Sequence, residues 1–178
     1  MNLQTTETAS LTSLVGRIAD ELAETPPGDL AELRRLTLDD PGGAAFWRIV
    51  VTRLDPDLPG GGPARDDALR RWAVILRAIA RLNDFHNPGR RFGTALAEAG
   101  VSEMRLNKLL RASGAPLFDQ VRAVTHQLAT AAAPVDLTGV ARLVLSDGQP
   151  HEQAVRQTIA NDYYAVIFNN ERKPREND

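Results

Sequence analysis

The chain has no cysteine among its 178 residues. That excludes disulfides, a thiol nucleophile, and zinc or iron–sulfur sites built on thiolates. It also fits a cytoplasmic protein, the location expected here. Histidine is scarce. His86, His126 and His151 stand far apart, without the HExxH spacing that puts two ligands on one helix face. No apolar run approaches the ~18 residues of a membrane span. The stretch MNLQTTETASL lacks a basic start followed by an apolar core, so no secretory signal is expected. Lysine is nearly missing too: 19 of the 21 basic residues are arginine, a bias that codon usage alone can produce.

Recognisable catalytic patterns are missing as well. No GxSxG elbow is present, and the glycines of DPDLPGGGPARDD lack the Lys-Ser/Thr of a phosphate-binding loop. Asp39-Asp40 and Asp66-Asp67 sit where helices should start and read as caps. Carboxylates alone do not define an acid–base pair, because their surroundings set their roles. A binding or assembly protein is therefore expected, not an enzyme, with no metal and no cofactor.

The net charge of −2 conceals an uneven distribution. Residues 1–64 carry five basic and ten acidic groups, residues 65–125 carry eleven and six, and the remainder five and seven. A polyanion responds to the local field as well as the total, so the basic middle third matters more than the overall acidity.

Periodicity predicts an all-α protein. In residues 9–24, Leu11, Leu14, Val15, Ile18 and Leu22 share one face, and Pro26-Pro27 stop the helix. Asp29 is expected to cap a short helix with Leu30, Leu33, Leu36 and Leu38 inward and Arg34-Arg35 outward, bridged to Asp29 or Glu32. After the Asp39–Gly43 turn, AAFWRIVVTRL is read as helix, since no second strand exists to pair with it. Phe46 and Trp47 are expected in the core. A loop at 55–67 leads into a long helix over about 67–84, capped by the aspartates. Its buried face is Leu69, Trp72, Ala73, Leu76, Ile79, Ala80 and Leu82, with Arg70, Arg77 and Arg81 as a basic stripe. Further helices are expected over 116–132, 137–145 and 152–168, and the tail NNERKPREND is expected to fray. The layout is two small helical domains, 1–88 and 89–178, the second a bundle.

At the start of the second, RRFGTALAEAGVSEMRLNKLLRASGAPLFDQVR reads as two short helices meeting at Gly100. The glycine suits the left-handed residue after a helix, and Ser102 suits the next N-cap. Two readings compete. TALAEAGVSEMRLNKLL has a helix-turn-helix rhythm, in which Glu103, Arg105, Asn107 and Lys108 would read bases as part of a transcriptional regulator. Leu96 argues against it, standing where a small residue usually allows close crossing.

The second reading covers nearly the whole chain. GDLAELRRL, PGGAAFWRIV, WAVILRAIARL, FGTALAEAGVSEMRLNKLLRASGAPLFDQVRAVTHQLA, PVDLTGVARLVLSDG and IANDYYAVIF occur in that order. In these pieces the sequence resembles the CasB family, the small subunit of the type I-E CRISPR surveillance complex Cascade. The acidic total and the glycines at 60–62 depart from the family pattern. The resemblance implies an all-helical, non-catalytic subunit, two copies packing head to tail beside the CasC backbone and the CasA large subunit, in a complex that also holds CasD, CasE and guide RNA. It implies contacts to target DNA, including the displaced single strand, and to the guide RNA–target hybrid. Strand invasion is nearly balanced in energy, so sequence-independent backbone contacts can tip it. The expected track is Arg34, Arg35, Arg105, Lys108, Arg111, Arg122 and Arg142. Arg34-Arg35 match the family's LRR piece and Arg142 its LARLL-like piece, while the others follow from helix-surface positions. Charge reversal of Arg105, Lys108 and Arg111 should weaken R-loop formation and leave circular dichroism unchanged. Unaltered target binding at physiological salt would remove them from the track.

Overall fold

The apolar stripes fold at the spacing they display. In a computed structural model describing residues 3–37 and 42–172, the chain forms α1 (Leu3–Ala23), α2 (Pro27–Leu33), α3 (Ala44–Ile49), α4 (Gly62–Leu82), α5 (Phe92–Glu98), α6 (Glu103–Arg111), α7 (Ala115–Thr130), α8 (Leu137–Ser146) and α9 (Glu152–Arg172). Among the described residues no strand forms, and an isolated bridge joins His86 to Val135. None of the described helices is long and apolar enough to cross a membrane.

Helix α4 organises the packing. Leu69, Trp72, Ala73, Ile75, Leu76, Ala78, Ile79, Ala80 and Leu82 are buried, a wider apolar band than one amphipathic stripe. The helix can therefore face α1 and α2 on one side and α7 and α8 on another. Helix α1 reaches α8 as well as α4, using Leu14, Val15, Ile18 and Leu22, all buried. In α7 the inward residues are Leu117, Val121, Val124 and Leu128, and in α8 they include Leu137, Val140, Ala141 and Val144.

Several local expectations need correction. Pro27 starts α2, with no side-chain cap at Pro26; a proline costs nothing at a first turn whose N–H is unpaired anyway. Asp29 lies inside that turn and pairs with Arg48 at 2.8 Å. Glu32 accepts from Ala45 N at 2.9 Å, so it caps α3, whose own N-cap, Gly43, has no side chain to offer. Likewise α4 begins at Gly62, not at the aspartates, with Pro63 in its first turn; Asp67 instead holds Arg71 at 2.6 Å. Trp47 is 43% exposed, although Phe46 beside it is fully buried. Helix α3 continues as a π-helical turn over Val50–Leu54, which keeps both Val50 and Leu54 inward. Helix α9 extends through Arg172, taking in the first residues of the tail expected to fray. Leu38 and residues 173–178 lie outside the described residues.

The hairpin at Gly100 is as expected. Gly100 has φ +69°, and the Ser102 side chain accepts from Arg105 N. A close helix crossing lies elsewhere, where α5 runs against α9. A Cβ at Gly93 would stand 2.2 Å from the Ile159 carbonyl oxygen, whereas one at Gly16 in α1 would meet nothing within 4 Å. Gly93→Ala should therefore destabilise by about 1–3 kcal/mol through overpacking. Gly16→Ala should stabilise by about 0.5–1 kcal/mol through helix propensity. Urea titration of both variants checks the pair, and a neutral Gly93→Ala would refute the close crossing.

Candidate nucleic-acid interface

Nineteen arginines offer many candidate grips, and their partners sort them. Arg90 pairs with Glu98 and Arg91 with Asp162 at 2.8 Å. Arg48, Arg53 and Arg65 hold Asp29, Glu21 and Asp55. Arg71 donates to the carbonyls of Val144 at 2.8 Å and Asp147 at 3.0 Å, tying α4 to the end of α8. These cations are already engaged.

The seven residues expected to form the track do not share one environment. Arg34 Nε donates to the Ala80 carbonyl at 2.7 Å, so this half-buried side chain joins α2 to α4 instead of facing outward. Arg35 is exposed beside the shallow groove formed with Glu32 and Gly42, and it is not bridged to Asp29 or Glu32. Arg105 is exposed and donates to Gln127 Oε1 at 2.6 Å, placing it over α7. Lys108 and Arg111 are exposed on α6. They line an open groove with Met104, Asn107, Pro116 and Gln120, and neither side chain is held by an ion pair among the described residues. Arg122, on α7, pairs with Asp119 at 3.3 Å, both side chains being well exposed. Arg142 is half-buried on α8, its Nε lacking a hydrogen-bond partner among the described residues. No described contact joins it to the others.

The structure adds residues outside the expected track. Arg77 Nη1 donates to the Leu36 carbonyl at 2.7 Å, and Arg81 Nη1 lies 3.2 Å from His126 Nδ1. Burial first, then the positive charges of Arg122 and Arg81, hold the Arg77 guanidinium below the usual arginine value. Arg81 and Arg122 thus bring positive charge to bear on Arg77 at the α4–α7 seam. A cluster of like charges without a matching set of carboxylates is costly to the free protein and attractive to a polyanion. From α4 the band continues over α7 through His126 and Arg122, then to α6 through Arg105 and Gln127. The 70–77–81 stripe was the sequence signal for two of these residues. Nothing in the sequence indicated that His126 would meet Arg81, 45 residues away.

A family profile for CRISPR-associated protein Cse2 matches residues 29–164. The chain belongs to the Cse2 family. Cse2 is the CasB of type I-E systems, so the membership agrees with the resemblance drawn from the six sequence pieces. The fold of this Cse2-family chain is similar to that of a chain in the crystal structure of E. coli Cascade bound to a PAM-containing dsDNA target. The TM-score is 0.62 and the identity 23%, over 86% of this chain and 95% of that one. Among curated proteins, no sequence matches.

Cse2 membership does not favour the helix-turn-helix regulator, and neither does the geometry. Two of its four base readers are engaged: Glu103 accepts from Tyr164 Oη at 3.2 Å, and Arg105 holds Gln127. The turn itself is held from α9, where the Tyr163 hydroxyl donates to the Val101 carbonyl at 2.6 Å. Burial, followed by the charge of Glu103, pushes the Tyr163 pKa up. The close approach at Gly93 serves the crossing of α5 with α9.

If the seam exists to hold an external anion, Arg122→Gln should cost the fold almost nothing. It relieves the repulsion felt at Arg77 and loses only an exposed ion pair. The expected change in unfolding free energy is within about 0.5 kcal/mol, on the stabilising side at low salt. Denaturant titration at low and high salt measures it. A loss above about 1 kcal/mol would make Arg122 a structural residue instead.

Proposed function

We propose that this chain is the non-catalytic small subunit of a type I-E Cascade complex, and that its basic band grips nucleic-acid backbone to stabilise the R-loop. The observation carrying the reading is the under-compensated cluster of Arg77, Arg81 and Arg122 on the α4–α7 seam, continued by His126, Arg105, Lys108 and Arg111. Guanidinium groups stay charged and bind phosphate bidentately without reading sequence. That is the chemistry needed by a protein whose guide RNA supplies the specificity. Arg35 extends the track toward α2. Arg34 acts indirectly, by fixing the end of α2. Arg142 is a candidate contact to nucleic acid or to a neighbouring subunit, since its guanidinium is incompletely bonded among the described residues.

The partners in this reading are those the resemblance implies: CasA, CasC, CasD and CasE with guide RNA, a second copy of this chain packed head to tail, and target DNA with its displaced strand. Cytoplasmic assembly is part of the same reading. We take residues 1–88 and 89–178 as two domains, and on that division the band spans both, because α4 belongs to the first and α6 and α7 to the second.

The test is reconstitution with CasA, CasC, CasD, CasE and guide RNA, followed by titration with target duplex. The Arg81→Gln/Arg122→Gln chain should co-purify as the parent does and lose about tenfold in target affinity at physiological salt. Its dependence of log K on log salt should be shallower by about 0.7–0.9 for each phosphate no longer neutralised. A chain that ignores the complex and binds a palindromic operator as a dimer would instead support the regulator.

A further inference from the structure

The groove between α6 and α7 depends on a corner, Ala112-Ser113-Gly114, that neither helix can hold alone. Helix α6 has nine residues and is too short to be stable without tertiary support. Its last carbonyls have no partner inside the helix. Gly114, the N-cap of α7, sits at φ +58° and offers no side chain to that helix.

The first deficit is met from across the bundle by Arg156 of α9, whose side chain is 8% exposed. Its guanidinium donates to the Leu110 carbonyl at 2.5 Å and the Ala112 carbonyl at 2.7 Å, with Ser113 Oγ at 3.4 Å. It is balanced by Glu152 at 2.7 Å and Asp147 at 3.4 Å. The other oxygen of Asp147, also buried, accepts from Gly114 N at 2.8 Å. One guanidinium therefore closes the end of α6 while its carboxylate partner closes the start of α7.

We propose that Arg156, working with Asp147, is a positioning residue for the nucleic-acid interface. It sets the angle between α6 and α7, so that Lys108 and Arg111 stay in line with Arg105 and Arg122. The inference rests on the functional reading above. A phosphate track needs cations at fixed spacing, and a corner free to splay leaves each charge present but out of step. Arg156 touches no ligand in this scheme and acts through the backbone of residues 110–114. Lysine cannot replace it, because an ammonium lacks the planar fork that serves two carbonyls and a carboxylate together.

The absence of cysteine allows a direct measurement. Spin labels on Met104→Cys and Ala123→Cys, both at exposed positions, report the α6–α7 distance in the full chain. The parent should give one narrow distance distribution, and folded Arg156→Lys a broad or bimodal one. Arg156→Lys should also weaken binding of a fluorescent single-stranded oligonucleotide by about tenfold, the scale set by two fewer phosphates neutralised. In a chain already carrying Lys108→Gln and Arg111→Gln it should cost nothing more. An unchanged distance distribution overturns the proposal, as does an affinity loss of equal size with and without Lys108 and Arg111. If Arg156→Lys does not fold, Asp147→Asn, which keeps an acceptor for Gly114 and loses only charge, takes its place: the same two measurements are made, and the same results support or overturn the proposal. A parent chain that binds no oligonucleotide alone and adds nothing to target binding in the reconstituted complex overturns the functional reading instead, while the label distance still decides whether Arg156 sets the corner.

Discussion

A helix must leave its last carbonyls unpaired, and in this protein arginines from other helices satisfy several of them. Arg34 reaches Ala80 O near the end of α4, and Arg77 reaches Leu36 O just beyond α2. Arg71 takes Val144 O and Asp147 O at the end of α8, and Arg156 takes Leu110 O and Ala112 O at the end of α6. Each is a charge-assisted bond between elements distant in sequence, stronger than a neutral one, at a place where a bare carbonyl would carry a desolvation cost. The short helices α2 and α6 depend on this arrangement most, because neither could persist in isolation. The abundance of arginine over lysine thus has a structural use: the fork spans two acceptors and stays charged when partly buried.

This division of labour explains how an acidic protein can present a basic face. Arginines at the periphery are cancelled by carboxylates, as with Arg48, Arg53, Arg65 and Arg91. Those at helix ends point their charge inward at carbonyls. Among the other cations, Arg81, Arg105, Lys108 and Arg111 lie along α4 and α6, joined on α7 by Arg122 with its exposed pair to Asp119. Arg77 serves both ends: its Nη1 is bound to Leu36 O while its charge adds to that of Arg81 and Arg122. Fold and interface share that residue, so Arg77 cannot be removed without freeing the segment after α2 from α4.

Much of the fold was legible because it follows from spacing. The stripe Leu117-Val121-Val124-Leu128 and the cap at Ser102 are local and survive tertiary packing unchanged. Trp47 was misread because aromatic character indicates a preference for burial and not the face of a six-residue helix. Asp29 and Glu32 were misread for a different reason: each serves a partner in α3, at a separation that periodicity cannot see. The interface was half legible. Lys108 and Arg111 follow from the polar face of α6, but the role of Arg34 as a tether and the meeting of Arg81 with His126 exist only once α4 lies against α2 and α7.

Arginine-specific chemical modification with phenylglyoxal, read by mass spectrometry on the assembled complex with and without target duplex, tests the central claim most directly. The account predicts that Arg81, Arg105, Arg111 and Arg122 react in the unbound complex and are protected together when the R-loop forms, while Arg34 and Arg156 stay unreactive in both states. Protection confined to arginines outside the α4–α7–α6 band, with these four still reactive, would contradict it.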